Sequence, residues 1–272
     1  MSIISITWAR NEEDIIESFV RHNVAIVDRM IVVLHRCTDD SFAILTALQN
    51  EGFPITVQED NRIAYQQSSV MTQTMHTYVS DADWIVPLDA DEFLVCDKDA
   101  FAVLDTNTIY TMPWRTYVPT PNDNLSRSIL EQITHRRTHE PEQYYKVIIP
   151  RSIAQHPETA LLMGSHGVLQ HNKRLPHTQA QDIVLAHFPV RSESQLRKKI
   201  INGCEAHLAD PDRNSGEIYQ WHALYDRCKN PEPIDASELQ TIAMNYAIPE
   251  HLPSKDTSLI CDPIHRNSAM RC

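Results

Sequence analysis

Glycine is scarce. Five of the 272 residues are glycine, at positions 52, 164, 167, 203 and 216, where ordinary usage near 7% would place about 19. A Walker loop needs two glycines and a lysine to wrap a phosphate in backbone N–H groups, and a Rossmann fingerprint needs three glycines within six residues; neither spacing occurs. The G-x-S-x-G nucleophile elbow is missing as well. A bound nucleotide would therefore have to be held by side chains or a metal. Positive charge is also in deficit, with 24 Lys and Arg against 36 Asp and Glu and a formal net charge of −12, which argues against a nucleic-acid-binding face. The six cysteines, at 37, 96, 204, 228, 261 and 272, contain no C-x-x-C pair, so free thiols in a reducing cytosol are expected and a zinc cluster is not. No run of about 18 apolar residues exists, so no membrane span is expected. The opening MSIISITWARNEED has neither a positive leader nor a small-residue cleavage site and reads as a first strand.

What is present is an alternation of apolar runs and amphipathic stretches. With 42% hydrophobic residues, the chain can bury a sizeable core. Residues 2–8 read as a strand, and Ile15, Ile16, Phe19, Val20 and Val24 then recur at helical spacing, with Glu12, Glu13 and Asp14 in the expected first turn. Residues 30–34 (MIVVL) form a continuous apolar run, followed by a helix to Leu48 that Asp40 or Ser41 would cap. A short strand at 55–58 precedes a helix over 63–80 with Val70, Thr74 and Thr77 inward, and residues 84–88 (WIVPL) form a fourth strand. This order predicts an α/β fold with a mostly parallel sheet flanked by helices, whose ligands sit at the carboxyl ends of the strands.

Beyond about residue 115 the pattern changes. Residues 118–145 read as a polar flap with a short helix at 127–134, residues 146–150 and 183–188 as strands, and 192–208 and 215–228 as amphipathic helices. The stretch 231–272, with five prolines, is expected to pack irregularly on the surface. The organisation that follows is a first half over 1–114, a second half over 115–230, and a C-terminal tail over 231–272.

The strongest local signal is WIVPLDADEF. A buried strand that stops at Asp89-x-Asp91 projects two carboxylates from a rigid edge, and such oxygen ligands suit Mg²⁺ or Mn²⁺ bound to a diphosphate. A cation would supply what the missing glycines cannot. The same string also suits a phosphohydrolase of the haloacid-dehalogenase type, in which the first Asp is a covalent nucleophile, although Glu92-Phe93 and the three preceding β–α units depart from that pattern. Arg62, just before the third helix, faces either a phosphate or solvent. Lys146 opens an apolar strand and suits either the charge of a bound phosphate or the guarding of a sheet edge. Gly164-Ser165-His166-Gly167 holds two of the five glycines; it is either a hairpin turn or a loop that brings His166 close to a ligand. Asp123, Glu131, Glu140 and Asp182 are equal candidates for a general base. His135 and His139 are spaced four apart, as on a helix, but lack the H-E-x-x-H pattern of a zinc enzyme.

The order ARNEEDIIESFVRHN, a strand ending in a TDD turn, then WIVPLDADEF, with weaker extension to KVIIP, GSHGV and AHFPVRS, resembles the GT-A fold glycosyltransferases, in particular family-2-like bacterial enzymes with a D-x-D-E-F strand end. The resemblance covers residues 1–114 and implies that they form the nucleotide-sugar-binding half, with 115–230 the acceptor-binding and metal-completing half of the same domain. It implies a GT-A-like fold and transfer of a sugar from a nucleotide-diphospho-sugar, UDP-linked by preference, to a glycan or lipid-linked acceptor, as in polysaccharide biosynthesis. It further implies that Asp91 ligates Mn²⁺ or Mg²⁺, that Asp89 touches the ribose or the metal, and that His187 completes the metal site. Asn11, Glu12 and Asp39 would line the nucleotide pocket, Asp39 against the base. In the implied transfer, Lys146 would face the diphosphate leaving group and His166 would lie near the acceptor or donor sugar. A non-catalytic nucleotide-sugar-binding protein is the remaining alternative. The expected location is cytoplasmic, with peripheral contact at the inner face of the membrane if the acceptor is lipid-linked.

Overall fold

A computed structural model describes residues 1–124, 126–140, 145–210, 218–248 and 258–264. The first half runs β1 (Ile3–Ala9), α1 (Ile16–Asn23), β2 (Arg29–His35), α2 (Ser41–Asn50), β3 (Ile55–Asp60), α3 (Gln67–Tyr78) and β4 (Trp84–Pro87), then β5 (Glu92–Val95), β6 (Ile109–Met112) and β7 (Trp114–Thr116). The second half continues with α4 (Ile129–Gln132), β8 (His135–Arg137), β9 (Lys146–Pro150), α5 (Arg151–Ala154), β10 (Thr159–Leu161), β11 (Val168–Gln170), β12 (Lys173–Arg174), β13 (His177–Gln179) and β14 (Val184–His187). It closes with α6 (Glu193–Leu208), α7 (Tyr219–Lys229), α8 (Ala236–Asn245) and β15 (Leu259–Cys261).

Seven strands form the central sheet in the order β13-β6-β9-β4-β1-β2-β3. β1 pairs in parallel with β2 and β4, β2 with β3, and β13 with β6, whereas β9 runs antiparallel to both neighbours. The expected mostly parallel α/β fold is therefore observed, with β9 reversed. That reversal positions the site, because it brings the amino end of β9 to the edge where its parallel neighbours end.

The alternating side chains of β1 serve two layers. Ile3 and Ala9 pack with Ile16, Phe19, Val20, Leu45 and Leu48 on one face, while Ile4, Ile6 and Trp8 pack with Val70, Met71 and Met75 on the other. A small sheet, β5-β14-β7, extends the first layer through Phe93, Leu185 and Phe188. A third apolar cluster joins α6, α7 and α8 through Leu196, Ile200, Cys228, Leu239 and Ala243.

Several sequence expectations shift. α1 begins at Ile16, so Glu12 lies in the β1–α1 loop and not in a first helical turn. Thr77 faces solvent and Met71 and Met75 are the inward partners of Val70 and Thr74. His135 opens a strand, so its spacing to His139 is not helical. The stretch 236–245, expected to be irregular, is a helix whose Asp235 accepts from the N–H groups of Ser237 and Glu238 and caps it. Part of the expected 215–228 helix and part of the tail lie outside the described residues.

Candidate functional site

The carboxyl ends of β1 and β4 lie side by side, since Ile6 sits opposite Pro87. β4 does not lead into a helix. Asp89-Ala90-Asp91 instead makes a tight turn, with Glu92 N–H donating to the Asp89 carbonyl at 3.0 Å, and Glu92 opens β5. The Glu92 side chain folds back beneath the turn, accepting from Asp89 N–H at 2.8 Å and from the Trp114 indole N–H at 2.9 Å. Its carboxyl is fully buried, and burial pushes it up to about 8 against the pull of Lys146.

Lys146, the first residue of reversed β9, pairs with Asp89 Oδ2 at 2.7 Å and lies 3.6 Å from Glu92 Oε2. Burial alone would lower its ammonium, but Asp89 and Glu92 reverse the effect and hold it above the ordinary lysine range. Lys146 is fully buried behind the D-x-D turn and is not part of the pocket wall. The expectation that it faces a leaving group directly becomes a supporting position, because β9 inserts its end under the turn. The other oxygen of Asp89 accepts weakly from Gln67 Nε2 at 3.3 Å.

Asp91 is almost completely buried among basic side chains: Lys199 Nζ at 2.7 Å and Arg191 Nη1 at 3.8 Å from Oδ2, with His187 Nε2 at 3.7 Å from Oδ1. Burial would raise its carboxyl, but Lys199, His187 and Arg191 hold it well below the usual carboxylate range. His187 arrives through β14, which places it opposite both Glu92 and Thr116. Its ring tilts over Trp114 with 4.6 Å between centroids, and burial drives it down to about 3 despite Asp91. His187 is thus a neutral imidazole at physiological pH, the form that ligates metals.

Beneath this group, the fully buried Arg191 donates to Glu12 Oε2 at 2.5 Å and grips Asp14 with Nε and Nη2 at 2.8 and 2.9 Å. Burial lifts the Glu12 carboxyl to about 7, against Arg191. Arg191 therefore ties the loop after β1 to the segment after β14 and to Asp91.

These groups form one end of a cavity of about 470 Å³. Its wall includes Glu12, Asp89, Asp91, His166 and His187 among the residues expected from sequence. The wall also draws on the C-terminal helices, through Lys199 and Gly203 of α6, Trp221 of α7 and Tyr246 after α8. Aromatic rings run along it: Trp8 stacks on His35 at 4.4 Å, Tyr65 stands edge-on to Trp8 and to Trp221, and the Trp221 N–H donates to Tyr246 Oη at 2.8 Å. His166 lies edge-on to Trp114 with Nδ1 against the Tyr145 carbonyl at 3.2 Å, and burial beside Lys146 lowers it to about 3. Gly164 has φ +65°, so the glycine pair expected to mark a close approach does include one position that disfavours a side chain.

Three expected nucleotide contacts lie outside this wall. Asn11, itself left-handed at φ +56°, accepts from Thr38 N–H at 2.8 Å, and Asp39 accepts from Glu13 N–H and Ser41 N–H, both at 3.0 Å. Both residues tie the loops after β1 and β2 together. Arg62 points along the surface and pairs with Asp60 at 2.7 Å. None of the four base candidates lines the cavity either: Glu140 pairs with Arg137, Asp123 accepts from Thr120, and Glu131 accepts from Ser128. Arg191, Lys199, Gln67 and Trp114 were missed from sequence. The AHFPVRS segment did contain Arg191, but nothing in its spacing tells that it turns inward.

Among the described residues, a trio of donor atoms close enough to share a metal occurs at His156, Glu158 and His171, with Glu158 and His171 exposed. None of the three borders the cavity. No helix among the described residues is long and apolar enough to cross a membrane.

No family model matches the sequence, and no curated protein does. Solved structures with a similar path of chain include residues 1–349 of TarS from S. aureus, at 11% identity and TM-score 0.44, over 84% of this chain and 71% of that one. A mannosyltransferase from Pyrobaculum calidifontis, in complex with GDP-Man and Mn²⁺, is similar at 18% identity and TM-score 0.33 over 42% and 36% of the chains. Glucosyl-3-phosphoglycerate synthase from M. tuberculosis is similar at 15% identity and TM-score 0.34 over 56% and 58%. Likenesses of this strength leave activity to the chain's own side chains.

Proposed function

We propose that this protein is a GT-A-like, metal-dependent glycosyltransferase that moves a sugar from a nucleotide-diphospho-sugar, UDP-linked by preference, to a glycan or lipid-linked acceptor. The observation that carries this reading is the convergence of Asp91 and neutral His187 at the head of a cavity large enough for a ligand, on the turn that ends β4.

The donor set fits a divalent cation. Asp91 Oδ1 and His187 Nε2 stand 3.7 Å apart, too far for a hydrogen bond but matched to two ligands that each reach about 2.1–2.2 Å to one ion. An imidazole in the set favours Mn²⁺ over Mg²⁺, which prefers oxygen and retained water. The bound cation would neutralise charge on the donor's diphosphate. The chain's own residues do the rest: Arg191 and Lys199 fix Asp91, Lys146 fixes Asp89, and the Trp114 ring orients His187. His166, neutral and beside Trp114, offers an uncharged polar group toward the sugar.

Thermal-shift measurements with UDP and GDP, with and without Mn²⁺, test the reading. A nucleotide shift that grows with Mn²⁺, and Mn²⁺-dependent cleavage of a nucleotide-sugar lost in Asp91→Ala, are expected. Release of phosphate from simple monoesters would favour a phosphohydrolase, and nucleotide binding without turnover a binding protein. The absence of any nucleotide shift in either condition would overturn the proposal.

A further inference from the structure

Four basic side chains border the cavity: Arg10, Arg174, Lys198 and Lys199. Lys198 is neutralised by Glu13 at 3.1 Å and Lys199 by Asp91 at 2.7 Å. Arg10 differs. It follows the last residue of β1, at the edge shared with the D-x-D turn, and has no carboxylate within ion-pair distance among the described residues. Its Nη1 makes one long hydrogen bond, 3.4 Å to the Asn202 carbonyl, while its Nε is buried without any acceptor.

A half-buried guanidinium left in that condition is costly unless something else satisfies it. Burial and the nearby Arg36 both work against its charge. The planar guanidinium is the group with which arginine takes two oxygens of a phosphate at once. Arg10 meets the requirement that the scarcity of glycine creates, a phosphate ligand that is not a backbone cradle, from the side of the cavity supplied by β1.

We infer that Arg10 is a binding residue for the diphosphate of the nucleotide ligand, gripping phosphate oxygens with the guanidinium that borders the cavity and has no carboxylate partner. The inference rests on the nucleotide reading of the same cavity for its ligand, but on Arg10's own geometry for the anion. It makes the phosphate contact a property of a side chain at the end of β1, in addition to whatever cation Asp91 and His187 hold.

The test is calorimetric titration of the full chain with UDP, uridine and inorganic pyrophosphate, comparing wild type with Arg10→Gln and Arg10→Lys. A lost charge-assisted pair of hydrogen bonds corresponds to about a 10- to 100-fold weakening, expected for UDP and pyrophosphate in Arg10→Gln, with uridine unchanged and part of the affinity restored in Arg10→Lys. UDP binding equal to wild type in Arg10→Gln overturns the inference and leaves the nucleotide reading standing. Arg10-dependent binding of pyrophosphate with no binding of UDP or uridine sinks the nucleotide reading and keeps the anion site. An equal loss of uridine and UDP shows a general collapse of the cavity wall and also overturns the inference. If Arg10→Gln melts early, Arg10→Lys carries the comparison: it keeps the charge but not the planar guanidinium, so undiminished UDP affinity in a well-folded Arg10→Lys refutes the proposed grip.

Discussion

Gly203 is the glycine whose replacement should report most directly on the cavity. It lies inside α6, and a Cβ there would stand 2.3 and 2.4 Å from Cζ3 and Cε3 of the Trp221 ring. Ordinary carbon contacts are about 3.5–4.0 Å, so the ring would have to retreat by roughly an ångström or more, because a helical Cβ cannot rotate away. Retreat breaks the 2.8 Å hydrogen bond from Trp221 to Tyr246 and the edge contact on Tyr65. The first is worth about 1 kcal/mol and the second about 0.5–1.5 kcal/mol. Alanine in place of glycine returns about 1 kcal/mol of helix propensity. Gly203→Ala should therefore be destabilised by about 1 kcal/mol, and by up to about 3 kcal/mol if the ring cannot relax, which for a chain of this size is a fall of roughly 2–4 °C in Tm per kcal/mol. Thermal unfolding and tryptophan emission measure the two effects together. Trp8, Trp84 and Trp114 are buried, so a red shift would report Trp221. In Trp221→Ala the glycine has nothing to avoid, and adding Gly203→Ala should then stabilise the protein, a reversal of sign that a double-mutant cycle detects. A Gly203→Ala protein that is more stable than wild type, with unchanged emission, would refute the argument.

The two glycines of the 164–167 loop should behave differently from each other. A Cβ on Gly164 would fall 2.3 Å from His166 Nε2 at a left-handed φ, whereas one on Gly167 meets side-chain ends of Leu162 and Arg174 at 2.9 and 3.1 Å. Gly164→Ala is expected to cost about 1–2 kcal/mol in urea unfolding and to lower nucleotide-sugar turnover at least tenfold, with Gly167→Ala much closer to wild type in both; equal behaviour would show that His166 is not displaced. Acid should weaken the fold through His22 and His35. Each ring has Nε2 2.7 Å from a backbone carbonyl and a buried Nδ1 with no partner, so burial lowers both below the ordinary histidine value of 6.5. The unfolded chain then binds the extra protons, and stability present above about pH 6.5 is lost as pH falls below it, by at most about 1.4 kcal/mol per histidine between pH 7.5 and 5.5. Buried Glu12 and Glu92, whose carboxyls burial raises, gain stability over the same interval and oppose this loss, so the check is differential: the urea midpoint of a His22→Gln protein should fall less than that of wild type between the two pH values.

The legibility of this protein from sequence follows from which physical signals are local. Apolar runs such as MIVVL and WIVPL, and the helical spacing of Ile16, Phe19 and Val20, record burial along the chain itself, so the β–α order of the first 88 residues and its parallel pairing were readable. The acidic turn at Asp89 and Asp91 was readable for the same reason, since the apolar run of β4 stops at two carboxylates. The strand character of 146–150 was visible, but not its direction, because a run of apolar residues has the same pattern in either orientation. That direction decides that Lys146 lies under Asp89 and not across a cavity from it. Asn11 and Asp39 carried the right residue types in the right loops, yet their side chains satisfy backbone N–H groups of the facing loop, a competition that only coordinates reveal.

What the sequence determined by itself is the exclusion that began with five glycines, the parallel α/β scaffold and the acidic turn at the end of β4. The tertiary structure decided which cations meet those acids. Arg191 and Lys199 lie 100 or more residues away from Asp91 in the chain and reach it because β14 and α6 fold back over the sheet edge. It also decided that the stretch after residue 230 forms α8 and that Tyr246, just after it, lines the cavity. Long-range pairing of this kind is set by how whole faces pack, and a face that packs against a distant partner carries no local mark of which partner it will be.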